Sequence, residues 1–92
     1  MIYKVQFTHR SEKDLQKMPP LIIKRILNLL SDTDIQTNPF KKAIKLKNVS
    51  PDTYRFRVGD YRIVFRVDEQ TKEIAILLVI RIAHRKEIYK NF

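Results

Sequence analysis

The sequence predicts an α+β fold in which a helical hairpin packs on one face of a single, mostly antiparallel sheet. Three observations carry that expectation. The chain opens on a run that alternates apolar and polar residues, continues with helical periodicity, and ends its second half with a tight hairpin and an almost unbroken apolar run. Strand, helices and then consecutive strands are the order of a segregated α+β architecture. With 92 residues and 43% apolar content, residues 1–92 are read as one domain with a modest core.

In Ile2 to Thr8, Tyr3, Val5 and Phe7 fall on one side and Lys4, Gln6 and Thr8 on the other. This is the alternation of a half-buried strand. From His9 to Lys17 the pattern turns helical and charged, with Leu15 and Met18 as its large apolar anchors, so one narrow stripe docks. Pro19-Pro20 ends that helix and starts the next, because proline suits the first helical turn. Ile23, Ile26, Leu27 and Leu30 recur at helical spacing and form its expected buried stripe. Ser31 to Pro39, rich in Ser, Asp, Thr and Asn, reads as a mobile loop.

Three strands in a meander follow, led by a short alternating segment in which Ile44 and Leu46 interleave with Lys45 and Lys47. The runs Tyr54 to Val58 and Tyr61 to Val67 flank Gly59-Asp60, and Gly59 is the chain's single glycine. Glycine at the first turn position predicts a type II′ hairpin. Its register sets Arg57 opposite Arg62. The run Ile74 to Ile82 is almost continuously apolar, as in a central strand covered on both faces. The tail from His84 to Phe92 reads as an irregular turn or short helix.

The period of two divides the hairpin into unlike faces. Tyr54, Phe56, Val58, Tyr61, Ile63, Phe65 and Val67 share one; Arg55, Arg57, Arg62, Val64 and Arg66 share the other. Like charges facing each other on a ladder are destabilising, so an arginine face without a carboxylate is built to receive an anion. The planar guanidinium fork matches phosphate, and a phosphodiester is the expected ligand. The formal charge of +9, from 19 Lys and Arg against 10 Asp and Glu, attracts polyanions in general. Lys41, Lys42, Lys45 and Lys47 extend the basic surface, either as solubilising charge or as a groove that tracks a nucleic-acid backbone.

Arg85 and Tyr89 are four residues apart and share a face if the tail is helical, with His84 beside them. Guanidiniums, an imidazole and a phenol are the parts that RNA cleavage needs when no metal takes part. A base removes the ribose 2′-hydroxyl proton, cations stabilise the phosphorane, and an acid protonates the leaving 5′-oxygen. Cationic neighbours favour the phenolate form of a phenol, a physical reason to gather tyrosine and arginine. Each residue also has a plainer reading: His84 as a capping imidazole, Tyr89 as a packing aromatic, the arginines as a solvated face.

Other chemistries lack their residues. Cysteine is absent and the two histidines are too few for a convincing metal site, so neither metal nor cofactor is expected. No phosphate-binding glycine loop, paired carboxylates or nucleophile constellation is present. No stretch approaches the ~20 apolar residues of a membrane span, and no basic-then-apolar leader opens the chain. The expected location is cytoplasmic, with no membrane partner.

The segment Tyr-Arg-Phe-Arg-Val-Gly-Asp-Tyr-Arg-Ile-Val-Phe (Tyr54 to Phe65), followed after one strand by His-Arg-Lys-Glu-Ile-Tyr (His84 to Tyr89), resembles the RelE branch of the RelE/ParE toxin superfamily. Lys-Asp-Leu-Gln-Lys-Met (Lys13 to Met18) and the Lys45 to Lys47 strand agree in order and spacing. The resemblance implies a RelE-like fold and a type II toxin that cuts messenger RNA in the ribosomal A site. It further implies neutralisation by a RelB-like antitoxin, with operator DNA reached only through the antitoxin complex.

Carried over by position, the resemblance puts RNA-binding cations at Arg55 and Arg57 and phosphorane-stabilising arginines at Arg62 and Arg85. The family tyrosine falls on Tyr89. Some members carry lysine at the first two positions, and a permanently protonated guanidinium cannot replace a lysine base. Acid/base duty therefore falls to Tyr89 or His84, and Arg66, Lys45 and Lys47 complete the expected RNA-binding set. Ala83 stands where many relatives have Gly. The long C-terminal helix of some members is not expected, since the sequence continues only three residues past Tyr89. Two other functions fit the same residues: a ParE-like inhibitor of DNA gyrase that cleaves nothing, and a non-catalytic RNA- or DNA-binding module.

Overall fold

A computed structural model describes residues 2–89. Residues 90–92 of the expected tail turn lie outside the described residues. The elements run β1 (Ile2–Phe7), α1 (His9–Gln16), α2 (Pro20–Ser31), α3 (Thr33–Thr37), a 3-10 turn at Pro39–Lys41, β2 (Ile44–Lys45), β3 (Tyr54–Val58), β4 (Tyr61–Glu69) and β5 (Ile74–His84). They build one five-stranded sheet in the order β1-β5-β4-β3-β2. The β1–β5 pair is parallel and the other three are antiparallel. The expected α+β architecture is thus observed, with the meander of β3, β4 and β5 completed by an edge strand on each side.

The main core lies between the helices and one sheet face. Tyr3, Phe56, Ile63, Phe65, Leu77, Val79 and Ile82 meet Ile26, Leu30 and Ile35 there, with Leu15 and Met18 packed at the margin. Phe56 and Phe65 stack at 4.5 Å between centroids, and Tyr54 continues the stack at 5.7 Å from Phe65. Burial pushes the Tyr3 phenol above its ordinary value, and Glu69, its hydrogen-bond partner, adds to the shift. Among the described residues, no helix is long and apolar enough to cross a membrane.

Two expectations about the helices are corrected. On α2 the buried stripe is Ile22, Ile26, Leu29 and Leu30, while Leu27 is 42% exposed. Both stripes have helical spacing, and in a helix this rich in Ile and Leu periodicity alone does not choose its rotation. The expected mobile loop contains α3. Asp32 caps it, its Oδ1 accepting from the Asp34 amide at 2.8 Å, and Ile35 is fully sealed in the core. Five residues are too few to display a period.

β5 outruns its neighbour. β1 pairs with it only as far as Phe7 opposite Val79, leaving the edge of residues 80–84 without a strand. The start of α1 supplies side chains instead. Ser11 Oγ donates to the Val79 carbonyl at 2.8 Å, and Asp14 Oδ2 accepts from the Ile82 amide at 3.0 Å. Asp14 also lies between Arg10 Nε at 3.3 Å and Arg81 Nε at 3.4 Å. A register shift between Val64 and Phe65, which pair with Arg81 and Val79, adds one residue to β5. Val79 and Ile82 consequently both reach the main core.

The hairpin has the expected register, with Val58 opposite Tyr61 and Arg57 opposite Arg62. Gly59 has φ of 57° and Asp60 has no positive φ, as a type II′ turn requires. A β-carbon at Gly59 would meet no atom within 4 Å, so a substitution there is opposed by backbone conformation alone. Gly59→Ala is expected to lower unfolding stability by about 1–2 kcal/mol in urea titration, with an unchanged m-value.

Candidate active site

The face of the sheet away from the helices carries the arginines and a second, smaller core. Val64, Ala83 and Ile88 are buried together, with Leu46 and Ile80 packed against them. Ile88 comes from the turn after β5 and is 0% exposed. Its amide donates to the His84 carbonyl at 3.0 Å, and the Arg85 amide donates to the Asp60 carbonyl at 2.7 Å. The tail is therefore folded back over the hairpin end of this face. Sequence reasoning passed over Ile88, although Val64, an apolar residue in an arginine row, signals that something must cover it.

Arg62 sits at the centre and is 9% exposed. Its Nη1 donates to the carbonyls of Gly59 at 3.0 Å and Tyr61 at 3.1 Å. Burial, followed by the charges of Arg55 and Arg57 and then Arg85, pushes its guanidinium below the ordinary value, while Tyr89 pulls it back up. It remains a cation at neutral pH. Arg57 lies opposite Arg62 in the hairpin register, Arg55 falls on the same strand face, and the Arg85 amide is fixed to the turn, so these charges and Tyr89 all act on the Arg62 guanidinium. Arg85 is half-exposed and its Nε lies 3.7 Å from Asp60 Oδ1. Tyr89 is 46% exposed, its ring held at the surface next to the buried Ile88.

The other four candidates do not surround Arg62. His84 is paired in register with Tyr61 and packs edge-on against that ring at 5.6 Å, across the sheet from Arg62 and Ala83. Its Nδ1 accepts from the Lys86 amide at 3.1 Å, the capping role. Strand alternation thus turns His84 to the face away from Arg62. Arg66 shares the arginine side of β4, but its Nε donates to Thr53 Oγ1 at 3.2 Å, four residues along the strand from Arg62. Lys45 is in register with Tyr54, whose ring belongs to the main core, and its Nζ lies 3.3 Å from Asp52. Ile44, opposite Arg55, occupies the arginine side instead. Lys47 lines an open concavity of about 900 Å³ with Leu46, Asn48 and Asp52, beside the smaller core.

No group of three or more His, Cys, Asp or Glu side chains gathers to hold a metal among the described residues. The site is an open cationic face with one phenol, able to grip an extended phosphodiester and to hold or move a proton at the Tyr89 hydroxyl.

Residues 5–89 match the family described as ParE toxin of type II toxin-antitoxin system, parDE. The chain belongs to this toxin family. Among its relatives, Toxin RelG of Mycobacterium tuberculosis is 31% identical over 91 residues, covering 99% of this chain and 100% of the relative. Toxin RelE3 of Methanocaldococcus jannaschii is 35% identical over 91 residues, covering 97% and 98%. The toxin is also similar to solved structures. The RelBE2 toxin-antitoxin complex from Mycobacterium tuberculosis superposes with a TM-score of 0.77 at 28% identity, covering 92% of this chain and 100% of the other. For the RelB-RelE antitoxin-toxin complex from Methanococcus jannaschii the TM-score is 0.69 at 33% identity, covering 94% and 96%. The toxin thus falls in the RelE branch of the RelE/ParE superfamily, as a type II toxin-antitoxin toxin.

Proposed function

We propose that the toxin is an endoribonuclease that cuts messenger RNA in the ribosomal A site and so inhibits translation. The 2′-oxygen bonds to phosphorus, the bond to the 5′-oxygen breaks, and the 2′ proton ends on the leaving oxygen, which leaves a 2′,3′-cyclic phosphate. Tyr89 is the acid/base. Arg62 and Arg85 neutralise the phosphorane, so guanidinium charge does the work that a metal ion does in other nucleases. Arg55 and Arg57 hold the flanking backbone, and Arg66 and Lys47 continue the cationic track toward the far end of the sheet.

The observation that carries this reading is the hairpin register that sets Arg57 opposite the buried Arg62 with Arg55 on the same face, together with the tail bond that fixes Arg85 at the turn, four residues before Tyr89. The face is open, so nothing in it bends a flexible message into line for attack. A ribosome that presents the message in a fixed conformation supplies that alignment. Complexes of RelB with RelE relatives support a RelB-like antitoxin as the partner that silences the toxin in the cytoplasm, and operator DNA is reached through that complex.

The match to the ParE family favours a second reading, inhibition of DNA gyrase by the same fold. A translating extract separates the two. Primer extension is expected to show new message ends with wild-type toxin and about 10²-fold fewer with Arg85→Ala, the loss typical of one stabilising donor. Arg85 is half-exposed, so its removal leaves the fold intact. Absence of new ends with wild-type toxin rejects the nuclease, and arrested supercoiling in a parallel gyrase assay supports the second reading.

A further inference from the structure

Asp60 is the turn residue between two cationic strands, and it does not act only through its backbone. Its carbonyl accepts from the Arg85 amide at 2.7 Å, and its carboxylate lies 3.7 Å from Arg85 Nε. The main-chain bond keeps the two side chains within reach of each other. This ion pair brings a carboxylate to the cluster of Arg55, Arg57, Arg62 and Arg85. Both partners are more than half exposed, at 63% for Asp60 and 53% for Arg85, so the pair opens readily. Arg62, by contrast, is anchored by main-chain carbonyls that carry no charge to exchange.

We propose that Asp60 is an internal competitor for the phosphodiester at Arg85. Its carboxylate occupies the guanidinium of Arg85 until a phosphate displaces it, which weakens capture of stray RNA while leaving Arg55, Arg57 and Arg62 free of the competition. The proposal rests on the RNA-cleaving reading for the identity of the anion. It makes Asp60 a specificity-determining residue, one that sets how tightly the arginine face holds RNA and takes no part in proton transfer.

The test is a binding cycle with a short single-stranded RNA methylated at every 2′-oxygen, which binds without being cut. Asp60→Asn is expected to tighten binding by about two- to fivefold at low salt, a gain that salt erases. In an Arg85→Ala background the same substitution is expected to change nothing. Asp34→Asn, which removes one exposed negative charge from α3 on the helix side of the sheet, controls for net charge. A comparable gain from Asp34→Asn, a gain that survives Arg85→Ala, or no gain from Asp60→Asn overturns the proposal. Melting curves on each variant exclude differences in folding. Wild-type toxin that cuts no message in extract overturns the nuclease reading alone, because the Asp60–Arg85 coupling is read from binding.

Discussion

Tyr89→Phe is expected to slow message cleavage by about 10²–10⁴-fold, the range for loss of a positioned acid/base. The substitution deletes one oxygen and nothing else. Ile88, which is buried against Val64 and Ala83, still folds the tail back, and the ring of residue 89 keeps its half-exposed place. The arginines proposed to hold the RNA backbone are untouched. Single-turnover cleavage on programmed ribosomes measures the rate, while affinity for the 2′-methylated RNA and the melting temperature are expected to stay at wild-type values. A variant that cuts at the wild-type rate removes Tyr89 from the reaction. A variant that binds RNA poorly assigns the hydroxyl to binding and leaves the proton without a carrier.

Asp14→Ala is expected to destabilise the fold by about 3 kcal/mol, the largest effect of any single carboxylate here. The Ile82 amide and Arg10 lose a hydrogen-bond acceptor, and Arg81 loses its counter-charge. Arg81 and Asp14 are each more than four-fifths covered, so the guanidinium is left largely buried without a counter-charge. Arg10 contributes little, being mostly exposed. Asp14→Asn keeps an oxygen for the Ile82 amide and is expected to lose less than Asp14→Ala. Equilibrium unfolding in urea gives both values, and a loss below about 1 kcal/mol for Asp14→Ala means that water replaces the carboxylate.

The strands were legible because period-two alternation is strong in half-buried β-structure. Tyr3, Val5 and Phe7 pointed to one face, and Gly59-Asp60 set the register that opposes Arg57 to Arg62. The continuous apolar run of β5 announced a strand with cover on both sides, and both cores draw on it. What stayed hidden depended on tertiary choices. The rotation of α2 was settled by which isoleucines met the sheet, and α3 by one buried side chain and one cap.

At the site, the arginine face and Tyr89 could be read from spacing, whereas the face taken by His84 follows from its pairing with Tyr61. The placement of Lys45 is set in the same way. Its pairing with Tyr54 turns it from the arginine side, and a two-residue strand gives too little pattern to show that from sequence. Ile88 was missed because a lone isoleucine in a charged tail has no period at all.

Arg62 is tethered by the carbonyls of residues 59 and 61, not by any acid. Peptide oxygens neither titrate across the physiological range nor change when a neighbouring codon drifts. The central cation of this face is consequently insulated from acidification and from most single-residue substitutions around it, so inactivating lesions should concentrate in the peripheral guanidiniums and the tail.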